Sequence, residues 1–482
     1  MDHPRSSATV TITTTAPVTL ADLVALADGA DVALAPEVHE ALARVSTAAE
    51  QIAATTPTYG RSTGVGANRT TPVSDAAEHG MRLVRSHATD TGPALPTRTV
   101  RAMIAVRLAQ LSQVGSGIAP GVLPALAGLL RQGELAEIGS VGSIGTGDLP
   151  ALAALALILA GERAPGTPAS PVRWSAESAL PFLSSNALTI ARSVLASAEL
   201  RQLDHASRVV FALAATALRG NPSAFSETAA AAAAAPQVSR VCAEVRGLLP
   251  ADIDPARIQD PFGLRVYPVT QGALLTALER LDAQLLQLVN AAQENPLFDV
   301  AERTVIHHGS FFQAQLAIDL DTAALALAQS ATNAHALLRM ANEPAFTGLR
   351  PFLATGPAGA SGLMMLEYTA ASALAEIRNA AAPACVGTIA LSRGAEEDAS
   401  FASQGAAKLE RAAASYRIVL GCQLLAVSRL LVQLDPSLAK TLEDPARAVR
   451  ALQESQRDQD LRASLDEAYD LLDQLAAHAT TG

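Results

Sequence analysis

The sequence has few aromatic side chains, few cysteines and no strongly basic segment. Aromatic residues make up only 3% of the 482 positions, whereas 49% are hydrophobic, and alanine and leucine recur throughout. Alanine and leucine lose little side-chain freedom in a helix. The composition therefore predicts an all-α body, and the chain is long enough to bury a large core.

The charge balance makes nucleic acids and anionic membrane surfaces poor partners. The formal net charge is -11, with no run of Lys or Arg longer than a pair, so the counterion release that drives nucleic-acid binding has no obvious source. The longest apolar stretch, residues 149–160, is shorter than the roughly 20 residues that cross a bilayer. The N-terminus has no charged-then-apolar signal pattern. We expect no membrane span and a cytoplasmic protein.

Neither the cysteines nor the paired histidines indicate a metal site. Cys242, Cys385 and Cys422 are far apart, lie in apolar surroundings and have no CxxC spacing, which predicts buried free thiols rather than a disulfide framework or a zinc site. His307 and His308 are adjacent, so their side chains point in different directions, and no carboxylate stands at ligand spacing. We expect them in the core or at an interface.

The chain divides into three regions. Residues 1–16 are polar and resemble a tail or an edge strand, residues 17–190 carry two loops rich in turn formers, and residues 191–482 carry long amphipathic helices. Such helices form bundles that often associate with copies of themselves. The predicted helices cover 191–219, 270–292, 314–340, 362–380 and 406–434.

Helical spacing from residue 20 to 54 leads into the first loop, 55–66. The second loop, 139–148, precedes an apolar helix, with Asp148 as its predicted N-cap. The alanine run 229–235 predicts a small-residue helix stopped by Pro236.

Taken alone, the second loop could be a phosphate cradle, because it is glycine-rich and precedes a helix N-terminus. However, no Lys follows as in a P-loop, no GxGxxG spacing fits, and Asp148 would repel phosphate.

Several motifs, in a consistent order and spacing, carry a more specific resemblance. They are Tyr59-Gly60 with Thr63-Gly64 and Gly66; Arg85-Ser86-His87-Ala88; Gly139-Ser140-Val141-Gly142 with Gly147-Asp148-Leu149; Gln259-Asp260-Pro261-Phe262-Gly263-Leu264-Arg265; Glu294-Asn295-Pro296-Leu297; Gly309-Ser310-Phe311; Ser361-Gly362 to Glu376; and Glu396-Glu397-Asp398. Over residues 20–430 the chain resembles the aromatic amino acid ammonia-lyase family, which includes histidine and phenylalanine ammonia-lyases and related aminomutases. The resemblance implies a long-helix bundle of the fumarase/ammonia-lyase type and a homotetramer whose active sites combine several subunits.

The family's electrophilic cofactor forms from an Ala-Ser-Gly triplet, which cyclises with loss of two waters to a methylidene-imidazolone. The matching triplet here is Gly145-Thr146-Gly147. Dehydration of Thr146 would leave an ethylidene, whose extra methyl shields the carbon to be attacked. Because the glycine-rich stretch is about two residues longer than the family pattern, Ser143 is an alternative precursor.

Two further departures fall at positions that serve the same cofactor. Ser184 stands where the family has an Asn that polarises the cofactor, and Phe262 replaces a second Tyr near it. Three changes around one group suggest that it has been lost or remodelled. We expect the standard imidazolone to be absent, and a cyclised triplet is the alternative.

The resemblance also assigns roles to residues that remain. Tyr59 matches the catalytic base that removes a proton β to the amine, although a phenol with a reference pKa of about 10 needs help near neutral pH. Arg265 matches the Arg that grips the substrate carboxylate, a task suited to a bidentate guanidinium. Glu397 matches the family's active-site acid, with Glu396 in place of a Gln, while His87 is the expected specificity residue.

Two more residues are expected to contact substrate: Gln259 from the Arg265 motif, and Phe311 as an apolar wall. Structural alternatives stay open at this point. Arg265 could cap a helix or pair with Asp260, the acids around Glu397 could form a solvated turn, and Phe311 could belong to the core.

Three functions are compatible with these residues. The first is a lyase that performs base-driven elimination, or the reverse addition or ring closure, on an amino-acid-like substrate bearing a carboxylate. The second is a conventional ammonia-lyase or 2,3-aminomutase with a modified imidazolone. The third is a catalytically inactive homologue that acts as a scaffold.

Overall fold

Helices make up most of the structure, a computed structural model that describes residues 9–168, 170–452 and 457–479. The all-α expectation is confirmed, because strands within these ranges are few and short. The helices are α1 (Leu20–Ala27), α2 (Pro36–Ala53), α3 (Ala76–His87), α4 (Thr97–Leu111), α5 (Val122–Leu130), α6 (Leu149–Leu159), α7 (Ala179–Leu183), α8 (Ala187–Ala217), α9 (Glu227–Ala232), α10 (Pro236–Leu248), α11 (Phe262–Arg265), α12 (Tyr267–Val289), α13 (Ala314–Asn342), α14 (Pro344–Thr347), α15 (Met364–Ala380), α16 (Ala402–Leu434), α17 (Glu443–Ala451) and α18 (Arg462–Ala479).

Three two-stranded sheets accompany the helices. Their strands are β1 (Thr9–Ile12), β2 (Asp31–Leu34), β3 (Thr91–Ala94), β4 (Gly139–Val141), β5 (Leu297–Asp299) and β6 (Thr304–Ile306). Strands β1 and β2 are parallel, with Thr9 opposite Asp31, whereas β3–β4 and β5–β6 are antiparallel. The predicted edge strand near the N-terminus is thus present as β1; residues 1–8 of the predicted tail lie outside the described residues.

The five long helices predicted from amphipathic spacing are all present, with ends that differ by a few residues. The helical spacing over 20–54, in contrast, covers two helices and a strand. Helix α1 ends at Ala27, with Asp28 as its C-cap residue, and Gly29 adopts a positive φ of 104°, which reverses the chain as glycine commonly does after a helix. Strand β2 then pairs with β1. Helix α2 follows, with Pro36 as its first residue.

Two smaller predictions need correction. Pro236 does more than stop the alanine helix, since it also occupies the first turn of α10, where a missing N–H costs nothing. Cys242 and Cys422 are buried as expected, but Cys385 is partly exposed.

One helix in the described ranges, α16, is long and apolar enough to cross a membrane by length and composition. Polar residues interrupt its apolar ones, so it contains no long uninterrupted apolar stretch. However, 72% of its most apolar window is buried inside the protein, as in the core helix of a folded bundle.

The described residues form two compact units. The first takes its residues from 1–195, 281–320 and 383–407, and the second from 196–280, 321–382 and 408–482. Tyr59 and the glycine-rich loop belong to the first unit, and Arg265 belongs to the second.

Candidate active site

Tyr59 is held in the first loop by contacts at both its backbone and its hydroxyl. The Gly66 N–H donates to the Tyr59 Oη at 2.7 Å, and the Tyr59 N–H donates to His307 Nε2 at 3.4 Å. Gly60 has a positive φ of 70°, and a side chain there would clash with Leu180. The loop is therefore folded around the phenol oxygen, with a backbone donor aimed at it.

Four effects act on the Tyr59 hydroxyl, and their sum raises its pKa above the ordinary value of 10.0. Burial is the largest cause, because it penalises the phenolate. The Gly66 hydrogen bond acts against it, Glu396 raises the pKa by charge repulsion, and Arg69 lowers it. The resting side chain is therefore a protonated phenol at neutral pH, with two groups that favour its ionised form.

Glu396 reaches this position through a small hairpin. Leu391 N–H donates to the Glu396 carbonyl at 2.8 Å, and the Ala67 N–H donates to Ser392 Oγ at 2.8 Å, which fastens the hairpin to the Tyr59 loop. Glu397, the predicted acid, is exposed in this chain. Its catalytic role stays a prediction, while Glu396 is the acid whose charge acts on Tyr59.

The glycine-rich loop packs against residues 400–404. Ser400 Oγ donates to the Gly145 carbonyl at 2.9 Å, and Gln404 Nε2 donates to the Ser143 carbonyl at 2.7 Å. Gly145 is buried with a positive φ of 90°. A Cβ there would clash with Ser400 Oγ and crowd the Phe401 backbone nitrogen. Packing therefore favours glycine where the family triplet has alanine.

Asp148 is buried beside the triplet and anchors the loop. Its carboxylate accepts hydrogen bonds from Ser143 Oγ at 2.5 Å, Thr189 N at 2.7 Å and Thr189 Oγ1 at 2.9 Å. Burial raises the pKa of Asp148, although these donors oppose the rise. Asp148 does occupy the N-cap position of α6, but its side chain makes no capping hydrogen bond. The predicted N-cap position of Asp148 is confirmed, but its side chain does not cap the helix because its oxygens accept hydrogen bonds from Ser143 and Thr189.

These residues do not fit the standard imidazolone. Cyclisation joins the Gly147 nitrogen to the Gly145 carbonyl carbon, and the exocyclic carbon would come from Thr146 with an added methyl. Ser143, the alternative precursor, instead donates its hydroxyl to Asp148 and lies 3.1 Å from the Gly147 carbonyl oxygen. Gly145 is fixed by packing in a form that a Cβ would disrupt.

Ser184 lies in the same unit, and its environment differs from that expected of a polarising amide. Its Oγ accepts the Asn295 N–H at 3.0 Å. Two residues further on, Asn186 donates through Nδ2 to the Phe311 carbonyl at 2.7 Å, while its buried Oδ1 has no hydrogen-bond partner in the described part of the chain. Phe311 is partly buried. Sequence reasoning missed Asn186, although it stands in the same motif as Ser184.

A fully buried ion pair supports this segment. Arg107 Nη1 donates to Glu294 Oε1 at 3.0 Å, with both side chains at most 1% exposed. Arg107 also donates to the carbonyls of Phe182 and Pro181. It thereby ties the chain just before Ser184 to the chain just before Asn295.

The two adjacent histidines were expected in the core or at an interface, and neither lies in the core. His307 is exposed at the Tyr59 loop, whereas His308 is partly buried and its Nε2 lies 2.7 Å from the Glu294 carbonyl oxygen. In the described residues no cluster of histidine, cysteine and acidic side chains could hold a metal ion. His87 ends α3, with its Nδ1 2.8 Å from the Leu83 carbonyl oxygen, and its specificity role stays a prediction.

In the second unit, two contacts hold the guanidinium group of Arg265. Its Nε donates to the Asp260 carbonyl at 2.9 Å, and its guanidinium lies 4.4 Å from the centroid of the Phe262 ring. The Asp260 carboxylate is taken by Arg257 at 2.7 Å, so Arg265 contacts the backbone of Asp260 rather than its charge. Arg265 and Gln259 line a cavity of about 290 Å³.

The fold is that of ammonia-lyases and aminomutases: ergothionase, an ergothioneine-degrading enzyme from Treponema denticola, superposes with a TM-score of 0.89 at 21% identity, over 97% of this chain and 99% of that one. Histidine ammonia-lyase from Trypanosoma cruzi gives a TM-score of 0.89 at 22% identity, over 98% and 95% of the two chains.

The family model described as aromatic amino acid lyase matches residues 18–455. A histidine ammonia-lyase of Symbiobacterium thermophilum is 31% identical over 444 residues, which cover 87% of each chain. The chain therefore belongs to the aromatic amino acid lyase family. It is a lyase, as the sequence motifs predicted.

Proposed function

We propose that this lyase carries out a base-driven elimination, or the reverse addition or ring closure, on an amino-acid-like substrate bearing a carboxylate, without the standard imidazolone. Tyr59 is the base and Arg265 holds the carboxylate. The observation that carries the proposal is the 2.7 Å hydrogen bond from the Gly66 N–H to the Tyr59 Oη, because a fixed backbone donor stabilises the phenolate that must form.

In the elimination, the Tyr59 phenolate takes a proton from the substrate carbon β to the amine. The electron pair of that C–H bond becomes the new C=C bond, and the C–N bond breaks toward nitrogen. The substrate nitrogen is a positively charged ammonium group before the reaction and leaves as the neutral amine. Its positive charge makes it a leaving group, which is the role that the electrophilic imidazolone would otherwise serve. In the reverse direction the amine adds and the Tyr59 phenol returns the proton.

Arg265 contributes binding and orientation. Its Nε is occupied by the Asp260 carbonyl and its flat face by Phe262, which restricts the guanidinium before substrate arrives. Such preorganisation lowers the ordering cost of a bidentate carboxylate contact. Catalysis in a homotetramer, with sites built from several subunits, is part of this proposal, and size-exclusion chromatography with light scattering tests it.

A second candidate is favoured by a different contact. Ser400 Oγ donates to the Gly145 carbonyl at 2.9 Å, and this carbonyl is the one that cyclisation requires to be electrophilic. If the triplet cyclises, the chain is a conventional ammonia-lyase or 2,3-aminomutase with a modified imidazolone. Because two of the similar proteins are histidine ammonia-lyases, histidine is the first substrate to test.

Intact mass of the purified protein separates the two candidates. Cyclisation removes two waters, about 36 Da, whereas the first proposal expects the encoded mass. Amine release is then assayed on a panel of amino acids and betaines. Tyr59→Phe should reduce kcat about 100-fold or more, the usual weight of general base catalysis.

The matched control is Tyr368→Phe, which removes a phenol hydroxyl from a side chain that is 63% exposed. A catalytically inactive scaffold would release no amine and would keep its biological role after Tyr59→Phe. A mass deficit of two waters would overturn the cofactor-free mechanism in favour of the second candidate.

A further inference from the structure

The hairpin 391–396 holds a strained backbone against the Tyr59 loop. Ser392 and Arg393 both have a positive φ, 53° and 56°, a conformation that residues with a side chain seldom adopt. The Ser392 Oγ accepts the Ala67 N–H at 2.8 Å. Strain of this kind persists only where surrounding contacts maintain it, and it clusters at functional sites. The hairpin is therefore a candidate part of the site around Tyr59.

Glu396 belongs to this hairpin and is close enough to the Tyr59 hydroxyl for its charge to act on it. It pairs across the hairpin with Leu391, whose N–H donates to the Glu396 carbonyl at 2.8 Å. A Cβ on Gly66 would lie 2.6 Å from the Ser392 Oγ, so the residue that donates to the phenol also touches the hairpin. The Glu396 side chain is half-buried and forms no ion pair in the described part of the chain.

An unpaired carboxylate at this place works against the proposed base. Burial is the main reason that the pKa of Tyr59 is raised, and the charge of Glu396 raises it further. A glutamine, which the family pattern has here, would lack this repulsion. The presence of the acid is explained if a cation neutralises Glu396 during the reaction.

The other titratable side chains near Tyr59 contact the backbone of its loop. His307 Nε2 accepts the Tyr59 N–H at 3.4 Å, and His79 Nε2 lies 3.1 Å from the Gly60 carbonyl oxygen. Within the described residues, Glu396 is the only anion whose charge acts on the hydroxyl. The charged neighbours of Glu396 along the chain are exposed: Arg393, Glu397 and Asp398.

We propose that Glu396 binds the ammonium group of the substrate next to the Tyr59 hydroxyl. This inference rests on the proposed function, in which the ammonium is bonded to the carbon adjacent to the one that Tyr59 deprotonates. A carboxylate and an ammonium group form a charge-assisted hydrogen bond. Once Glu396 is neutralised in this way, its repulsion of the phenolate is removed. Substrate binding therefore lowers the pKa of Tyr59, and the phenol loses its proton to solvent more readily.

The same contact changes when the reaction is complete. After the C–N bond breaks, the amine is neutral and Tyr59 carries the proton taken from carbon. Glu396 then has no cation beside it, so its charge again favours the protonated phenol. The neutral amine is held less strongly than the ammonium group was, which favours its release.

Tetramethylammonium is the probe for the cation site, because it carries a permanent charge and no titrating proton. The phenolate absorbance of Tyr59, taken as the difference between the parent and Tyr59→Phe, is titrated in tetramethylammonium chloride and in sodium chloride at equal ionic strength. The midpoint should lie lower in tetramethylammonium by about 0.5 pH units or more. In Glu396→Gln the two salts should give the same midpoint. Equal midpoints in the parent would overturn the proposal, and because no turnover is measured, the proposed lyase reaction would still stand.

Kinetics with the substrate found by amine release test the same contact. Glu396→Gln should raise KM about tenfold or more, because the ammonium group loses its anion. The inhibition constant of the unsaturated acid product, which has no amine, should stay close to that of the parent. Glu302→Gln, which removes an exposed carboxylate that is not among the charges acting on Tyr59, is the matched control.

The outcomes separate this assignment from the proposed function. Equal weakening of substrate and product in Glu396→Gln would show that the acid supports the site in general, and would refute its role in binding the ammonium group. An unchanged KM in Glu396→Gln, together with loss of amine release in Tyr59→Phe, would refute the role of Glu396 and keep Tyr59 as the base. Full amine release in Tyr59→Phe would instead refute the proposed function.

Discussion

The guanidinium of Arg265 lies over the ring of Phe262, 4.4 Å from its centroid. The two residues are the first and last of the short helix α11, and the Arg265 Nε donates a hydrogen bond to the Asp260 carbonyl. The Phe262 ring therefore packs against the arginine that is proposed to hold the substrate carboxylate.

Phe262→Leu should raise KM with little change in kcat. A cation–π contact contributes about 0.5–2 kcal/mol, so KM should rise about 2- to 30-fold, while Phe262→Tyr, which keeps a ring, should stay close to the parent. Steady-state kinetics on the substrate found by amine release measures both constants. An equal loss in the leucine and tyrosine variants would show that the ring face is not what matters.

The pH dependence of the reaction should report the ionisation of Tyr59. Its pKa is raised above 10.0, mainly by burial, and the base form is the phenolate. kcat/KM should therefore still rise with pH between about 8 and 10, with a slope near one on logarithmic axes. A profile that is flat over this range would exclude Tyr59 as the ionising base.

Glu396→Gln and Arg69→Gln should move this profile in opposite directions. The charge of Glu396 raises the pKa of Tyr59 and that of Arg69 lowers it. Removing the anion makes the phenolate easier to form, so the rising limb should move to lower pH. Removing the cation should move it to higher pH. Glu302→Gln, which removes an exposed carboxylate that is not among the charges acting on Tyr59, is the matched control for charge removal.

The sequence predicted the fold class and the main site loops because their signals are local. Amphipathic spacing fixes a helix such as α13, and glycine-rich motifs mark the loops that carry Tyr59 and Thr146. Which of two adjacent acids acts on Tyr59 was not predictable. Glu396 lies near it through the 391–396 hairpin and its contact with Ala67, and such long-range pairing leaves no spacing signal.

The same limit applies to buried polar groups. Arg107 stands in an apolar helix and Glu294 in a loop motif, 187 positions apart in sequence. The charged residue in the middle of α4 was a possible signal, because charges are rarely buried without a partner. Identifying the partner required the fold.

Gly145→Ala should destabilise the protein even though the related enzymes carry alanine at this position of the triplet. The residue has a φ of 90°, and the added Cβ would clash with Ser400 Oγ. A strained backbone position costs about 1–3 kcal/mol, which thermal or urea unfolding would register. Gly121→Ala is the control, since no atom lies within 4 Å of a Cβ there. Equal stability of the two variants would contradict the packing argument against the standard triplet.

The Arg107–Glu294 pair should behave as a buried pair whose partners depend on each other. Burial lowers the pKa of Arg107 and raises that of Glu294, so each charge is maintained against desolvation by the other. Arg107→Met leaves the Glu294 carboxylate buried without its cation, at a cost of about 3–5 kcal/mol in unfolding free energy. Adding Glu294→Gln should recover part of this loss, because the remaining group is then neutral. Recovery should be incomplete, since Arg107 also donates to the carbonyls of Phe182 and Pro181.

A double-mutant cycle by urea unfolding measures the coupling between Arg107 and Glu294, and strictly additive losses would show that the pair is not energetically coupled.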